Sequence, residues 1–184
     1  NFDKNVLIKK MGKFGAMAWE YANGIDNSEV NYVREKPKSI GNSVTLPVDI
    51  SNAEKIERVL LSLVEQVTFR LRKEELLATV ASVQLRTHDF KDIAHQSKLD
   101  FATSNTKDIY EKAKEIFKEM YKYNIPIRLV GFRVEKLIEK DEQISMFNIE
   151  SNTKNLDKTI DDLRNKYGYN SIKKAGEVDI YMLH

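Results

Sequence analysis

The sequence predicts an α+β fold with element order βαββαβ: a four-stranded sheet carrying two helices on one face. Three observations predict it. Four stretches, near residues 39–46, 81–88, 93–101 and 127–137, alternate apolar and polar residues as half-buried strands do. Two longer stretches, opening near Ala53 and Lys107, repeat apolar residues at helical spacing. Their order gives two strand–helix–strand halves, whose helices cover one sheet face and leave the other open. A short helical pair comes before this domain and a polar segment after it, so the domains fall at 1–33, 34–140 and 141–184.

Composition bounds the function. The chain has 184 residues, 41% hydrophobic and 32% charged, enough for one sizeable domain with an appendage. It has no cysteine, and its histidines (His88, His95, His184) lack metal-ligand spacing. No apolar run approaches a membrane span and no signal peptide opens the chain, so a cytoplasmic protein with no membrane partner is expected. The absence of an opening Met suggests a fragment. Net charge is +2, spread as 4 basic and 4 acidic residues over 1–33, 20 and 16 over 34–140, and 6 and 8 over 141–184. A basic middle permits nucleic-acid binding and equally fits an ordinary solvated surface.

In the first segment, Val6, Leu7 and Met11 share one face of a short helix. Gly12-Lys13-Phe14-Gly15 breaks it, and a second helix runs from Ala16 to a stop at Gly24. Lys10 and Lys13 flank the Gly12–Gly15 turn, whose amides suit a phosphate; the same pattern also makes a plain packing hairpin. Residues 31–38 read as a linker, with Pro37 holding Lys36 extended.

The first strand places Ile40, Val44 and Leu46 on one side and Ser39, Gly41, Ser43 and Thr45 on the other. The small hydroxylic side lets a phosphate backbone lie close. Ser51-Asn52-Ala53-Glu54 is a capping box for a helix with Ile56, Val59, Leu60, Leu63, Val64, Val67 and Leu71 as its buried stripe. Next, Ala81, Val83 and Leu85 alternate with Ser82, Gln84 and Arg86. After the turn at Asp89, Ile93, Leu99 and Phe101 oppose Ala94, Gln96 and Lys98. A second helix, from about Lys107 to Tyr123, buries Ile109, Ala113, Ile116, Phe117 and Met120. In the last strand, Ile127 to Leu137, the alternation changes phase and predicts a bulge beside Gly131. That puts Arg128 and Arg133 on one polar face, as phosphate ligands or as plain surface arginines. In the tail, Leu156, Ile160, Leu163 and Tyr167 form the apolar stripe of a short helix that docks back, pairs with a partner or frays, its order marginal unless packed.

Between sheet and tail stands Gln143-Ile144-Ser145-Met146-Phe147, where an apolar pair beside an amide either docks into a partner's groove or folds back. The pentapeptide resembles the sliding-clamp-binding motif of bacterial DNA polymerases: Gln, aliphatic, Ser or Asp, Leu or Met, Phe. The chain upstream resembles the thumb end and little-finger domain of a Y-family translesion DNA polymerase, over about Asn1 to Phe147. Met11–Gly15 with Trp19–Asp26 is similar to that family's helix-hairpin-helix. Lys38-Ser39-Ile40-Gly41 is similar to its strand-entry motif, with Pro37 in place of the usual basic residue. Phe90 to Leu99 is similar to its third strand, with Ala94-His95-Gln96 where Thr-Arg-Ser is frequent and Lys98 as a substitute cation. The family also carries basic residues around the position of Gly131.

The resemblance implies DNA contacts at Lys10, Gly12, Lys13, Gly15, Lys38, Ser39, Gly41, Ser43, Thr45, Arg86, Gln96, Lys98, Arg128, Gly131 and Arg133. It implies clamp contacts at Gln143, Ile144, Ser145, Met146 and Phe147. Primer–template DNA and a bacterial sliding clamp are the implied partners, for a monomer taking part in DNA repair. The catalytic palm, whose carboxylates hold two Mg²⁺, is not in this sequence, so no cofactor and no polymerase activity are expected of the chain alone. Two other readings stand beside this one: an RNA-binding module of the same element order, and a protein-binding adaptor acting through Gln143–Phe147.

Overall fold

The computed structural model describes residues 3–30, 32, 35–122, 124–140 and 152–174, with only the backbone of 152–155. Gln143–Phe147 lie outside the described residues. The chain divides into two compact units, Asn1–Lys36 and Pro37–His184.

The first unit is a helical hairpin of α1 (Lys4–Met11) and α2 (Lys13–Ala22). The Asp3 side chain caps α1 by accepting from the Asn5 amide. Gly12 alone makes the turn, at φ 60°, so the break is shorter than the predicted Gly12–Gly15 and Gly15 sits inside α2. Gly15 is buried because the helices cross there: a Cβ would stand 2.2 Å from the Leu7 carbonyl oxygen. Lys4 ties the pair together, 2.6 Å from Glu20 and over the Trp19 ring.

The second unit contains β1 (Ser39–Ile50), α3 (Ala53–Lys73), β2 (Leu76–Thr87), β3 (Asp92–Thr103), α4 (Thr106–Met120), β4 (Ile127–Glu135), a two-residue β5 (Ile138–Glu139) and α5 (Asn152–Tyr167). A 3₁₀ turn, Tyr169–Ser171, follows α5. The sheet order is β1-β4-β2-β3, antiparallel at every pairing, with β5 beside the start of β2. The α+β class and the helix-covered sheet follow the sequence; β5 is additional. It forms because Lys136, at φ 50°, turns the chain out of β4.

The core lies between the sheet and α3 plus α4. Ile56, Leu60, Leu63, Val67 and Leu71 of α3 and Ile109, Ile116 and Phe117 of α4 meet Val83, Leu85, Val130, Phe132 and Val134. Burying each large apolar side chain contributes about 1.5–3 kcal/mol. The cap of α3 is Asn52, whose side chain accepts from the Lys55 amide, and not Ser51 of the expected capping box. Ser51 instead receives the Tyr121 hydroxyl on its carbonyl at 2.6 Å.

The helix α5 departs most from expectation. Of its predicted apolar stripe only Ile160 is buried, while Leu156, Leu163 and Tyr167 are 53%, 36% and 62% exposed. The buried face is charged instead. Arg72 of α3 holds Asp161 with two hydrogen bonds of 2.5 and 2.9 Å, and Asp157 accepts the Thr106 amide at 2.9 Å. Burial pushes the Arg72 guanidinium down, but the Asp161 hydrogen bond and the charges of Asp157, Asp161 and Glu65 outweigh it and hold it above its ordinary value.

Candidate nucleic-acid interface

Among the described residues of the second unit, the sheet face away from the helices carries mostly exposed or half-buried side chains. Strand parity sends Val83 and Leu85 into the core and Ser82, Gln84 and Arg86 outward. Cross-strand partners carry the same sense: Ser82 faces Arg133 and Gln96, and Gln84 faces Gly131 and Ala94. On β1, Gly41 faces Arg133 and Ser43 faces Gly131. Gly41, Ser43, Ser82, Gln84, Gly131 and Arg133 line a trough of about 430 Å³.

The cations on this face differ in availability. Arg133 is exposed and has no ion-pair or hydrogen-bond partner among the described residues. Its side chain crosses over Gly41, where a Cβ would meet the Arg133 Cβ at 3.0 Å and Cγ at 3.1 Å. Lys98 on β3 and Lys38 just before β1 are exposed and likewise unpaired among the described residues. Arg86 is committed: its Nε and Nη2 reach Asp92 at 2.8 and 2.9 Å across the strand pair. That fork lowers Asp92 below the usual carboxylate range, chiefly through the Arg86 hydrogen bond. One acid, Glu135, also borders the trough.

The bulge lies elsewhere than predicted. Gly131 pairs regularly on both sides, whereas Arg86–Thr87 of β2 faces Leu129 and Ile127, leaving Arg128 as the extra residue. The shift turns Leu129 outward with Gly131 and Arg133. Arg128 lies roughly 17 Å along the strand from Arg133. Its Nε stands 3.3 Å from Asp49 and its guanidinium stacks 4.7 Å over Phe90, so it is a paired cation at the start of β4, not gathered with Arg133 as expected.

The outer edge of β1 is fastened rather than bare. Arg70 of α3 donates to the Gly41 carbonyl at 2.7 Å, and the Ser43 amide donates to the Asn42 side chain at 3.0 Å. The charged face of α3 gave no sequence signal for this role of Arg70. Ser39 and Thr45 are exposed on β1, and Gln96 is exposed on β3.

In the hairpin unit, Lys10 and Lys13 are exposed beside Gly12. The Gly12 amide donates to Ile8 at 2.8 Å and the Gly15 amide to Gly12 at 3.0 Å. Both glycines therefore shape the backbone and spend their amides inside the hairpin. His95, on β3, faces the helix side, 3.7 Å from Glu119 of α4. Among the described residues no three His, Asp or Glu side chains gather as a metal-holding set. These residues do not fit the Mg²⁺ of nucleotidyl transfer. No helix among the described residues is long and apolar enough to cross a membrane.

Residues 37–146 match the impB/mucB/samB family C-terminal domain. The chain is 44% identical over 177 residues to DNA polymerase IV of Clostridium acetobutylicum, covering 95% of this chain and 44% of that one. It is 34% identical over 182 residues to DNA polymerase IV of Acetivibrio thermocellus, covering 95% and 46%. It thus spans less than half the length of these relatives. A solved structure described as a complex of beta-clamp processivity factor and little finger domain of PolIV superposes with a TM-score of 0.46 at 23% identity, over 60% of this chain and 99% of that one. The matched residues define a domain of the kind that closes the impB/mucB/samB proteins. The chain belongs to the impB/mucB/samB family.

Proposed function

We propose that this chain grips primer–template DNA by its phosphate backbones through the open sheet face and tethers a polymerase to a bacterial sliding clamp through Gln143–Phe147. One observation carries the DNA half: Arg133 stands exposed over Gly41, unpaired among the described residues, beside the hydroxyls of Ser39, Ser43 and Ser82. Small side chains let a backbone approach, and an unpartnered guanidinium gives it a counter-charge. With Lys38 and Lys98, about three phosphates are neutralised, which implies a slope of log affinity against log salt near −3. Such a grip is weak alone, and tethering to a clamp makes it adequate by raising local concentration.

The clamp half rests on the resemblance of Gln143–Phe147, which lie outside the described residues. The RNA-binding reading loses support because the outward positions of the central strands β2 and β4 are Ser82, Gln84, Arg86, Leu129, Gly131 and Arg133, with no aromatic to stack a base. Fluorescence anisotropy with a primer–template duplex and a single-stranded RNA of equal length tests the proposal. Micromolar, salt-sensitive, sequence-tolerant duplex binding is expected; RNA binding that outcompetes the duplex contradicts it. Met146→Ala with Phe147→Ala is expected to abolish clamp binding and keep DNA binding, whereas loss of both favours the adaptor reading.

A further inference from the structure

The helix α5 is built the wrong way round for a helix that serves only its own domain. Its buried face carries Asp157, Asp161 and Arg164, and its apolar side chains Leu156, Leu163 and Tyr167 stay in solvent along one flank. The charged face fixes where that flank stands. Asp161 is held by Arg72, near the C-terminal end of α3, while Arg164, one turn later, reaches Glu65, two turns earlier in α3. The helix α5 therefore runs back along α3, and its first turn lies at the C-terminal end of α3. Lys140 is anchored at that same end, its amide donating to Glu75 at 3.3 Å.

Residues 140 and 152 thus stand together at one end of the domain, and Gln143–Phe147 belong to the stretch of chain that joins them. Four residues, and so five Cα–Cα steps, separate Phe147 from Asn152, a reach of at most about 18 Å. A protein that takes Met146 and Phe147 into its groove is held within that distance of the first turn of α5, where Leu156 is exposed.

We propose that the exposed flank of α5, Leu156, Leu163 and Tyr167, is a second docking surface for the sliding clamp, beside the groove that takes Gln143–Phe147. The inference rests on the clamp half of the function proposed above. Short reach commits the flank to that partner, and the ion pairs with α3 pre-order it, so little ordering entropy is lost on contact.

The test uses the 184-residue chain and the purified sliding clamp of Clostridium acetobutylicum, with affinity measured by surface plasmon resonance. Leu156→Ser with Tyr167→Ser, both at positions more than half exposed, is expected to weaken clamp binding about tenfold at an unchanged melting temperature. A photo-crosslinking side chain at position 156 gives a second readout that needs no loss of packing, and is expected to capture the clamp. Unchanged affinity together with no clamp crosslink overturns the inference. So does a crosslink to a second copy of the chain, with sedimentation showing a dimer that the double variant abolishes. Met146→Ala with Phe147→Ala separates the two levels. If that pair leaves clamp binding intact, the underlying clamp reading fails; if it abolishes binding while the flank variant does nothing, only the present inference fails.

Discussion

Glu65 and Arg164 form an ion pair inside the protein: the carboxylate of α3 and the guanidinium of α5 stand 3.0 Å apart, with side chains 2% and 1% exposed. Lys174 adds a second cation 2.5 Å from the same carboxylate, and the Arg164 guanidinium lies 4.5 Å over the Tyr169 ring. Charges this deep are tolerated only in company, because removing one partner leaves the other desolvated and unpaired. Residues 156–174 are thereby made part of the second unit.

Removing Arg164 is accordingly costly. Arg164→Ala is expected to destabilise the second unit by about 3 kcal/mol, read as a lower urea midpoint at constant slope. DNA affinity measured well below that midpoint is expected to stay as it was, since α5 packs on the helix side. An unchanged midpoint contradicts the buried latch.

Gly15 is held by sterics alone. With a Cβ only 2.2 Å from the Leu7 carbonyl oxygen, Gly15→Ala has to push α1 and α2 apart. The expected cost is about 1–3 kcal/mol, confined to the hairpin. Hydrogen exchange of residues 4–22 is expected to accelerate while the sheet amides keep their protection. Equal exchange in both proteins contradicts the close crossing.

The β2–β3 turn carries an acid-sensitive contact. Asp89 is hydrogen-bonded by Lys91 and by the Thr87 hydroxyl, which lower it from 3.8 to about 2. A depressed carboxylate favours the fold above its unfolded value, and that contribution fades as pH falls through about 2. Carboxyl carbon NMR is expected to place the Asp89 midpoint near 2, and Lys91→Ala to raise it. A wild-type midpoint at the ordinary 3.8 contradicts the contact.

Gly41 tests the open face without touching a charge. A Cβ there meets the Arg133 side chain at 3.0 Å, so Gly41→Val is expected to displace the guanidinium. DNA affinity should fall several-fold while the melting temperature moves little, Gly41 being on the solvent side of an edge strand. Affinity equal to wild type means that the path of Arg133 does not matter.

The elements that pack on apolar stripes were legible in the sequence. The α3 stripe from Ile56 to Leu71 and the β1 parity of Ile40, Val44 and Leu46 both read directly, because one hydrophobic period determines one buried face. The face of α5 was not, because its partners Glu65 and Arg72 lie about ninety residues away and pairing across that separation leaves no local pattern. For the same reason the apolar stripe of Leu156, Leu163 and Tyr167 does not tell from sequence which side of the helix packs. The phase change in β4 was visible, but Gly131 drew the bulge to itself when Arg128 holds it. Arg86 read as a free cation because Asp92 lies beyond the turn, and register alone brings them together.

In the proposed grip, Arg133 on the outer sheet face meets a DNA phosphate. Primer–template affinity measured by anisotropy from 50 to 200 mM salt, for wild type and Arg133→Ala, tests it most directly. The expected result is weaker binding at every salt concentration, on all sequences alike, with the log–log slope shallower by about 1. Superimposable curves, or a loss confined to particular base sequences, would contradict it.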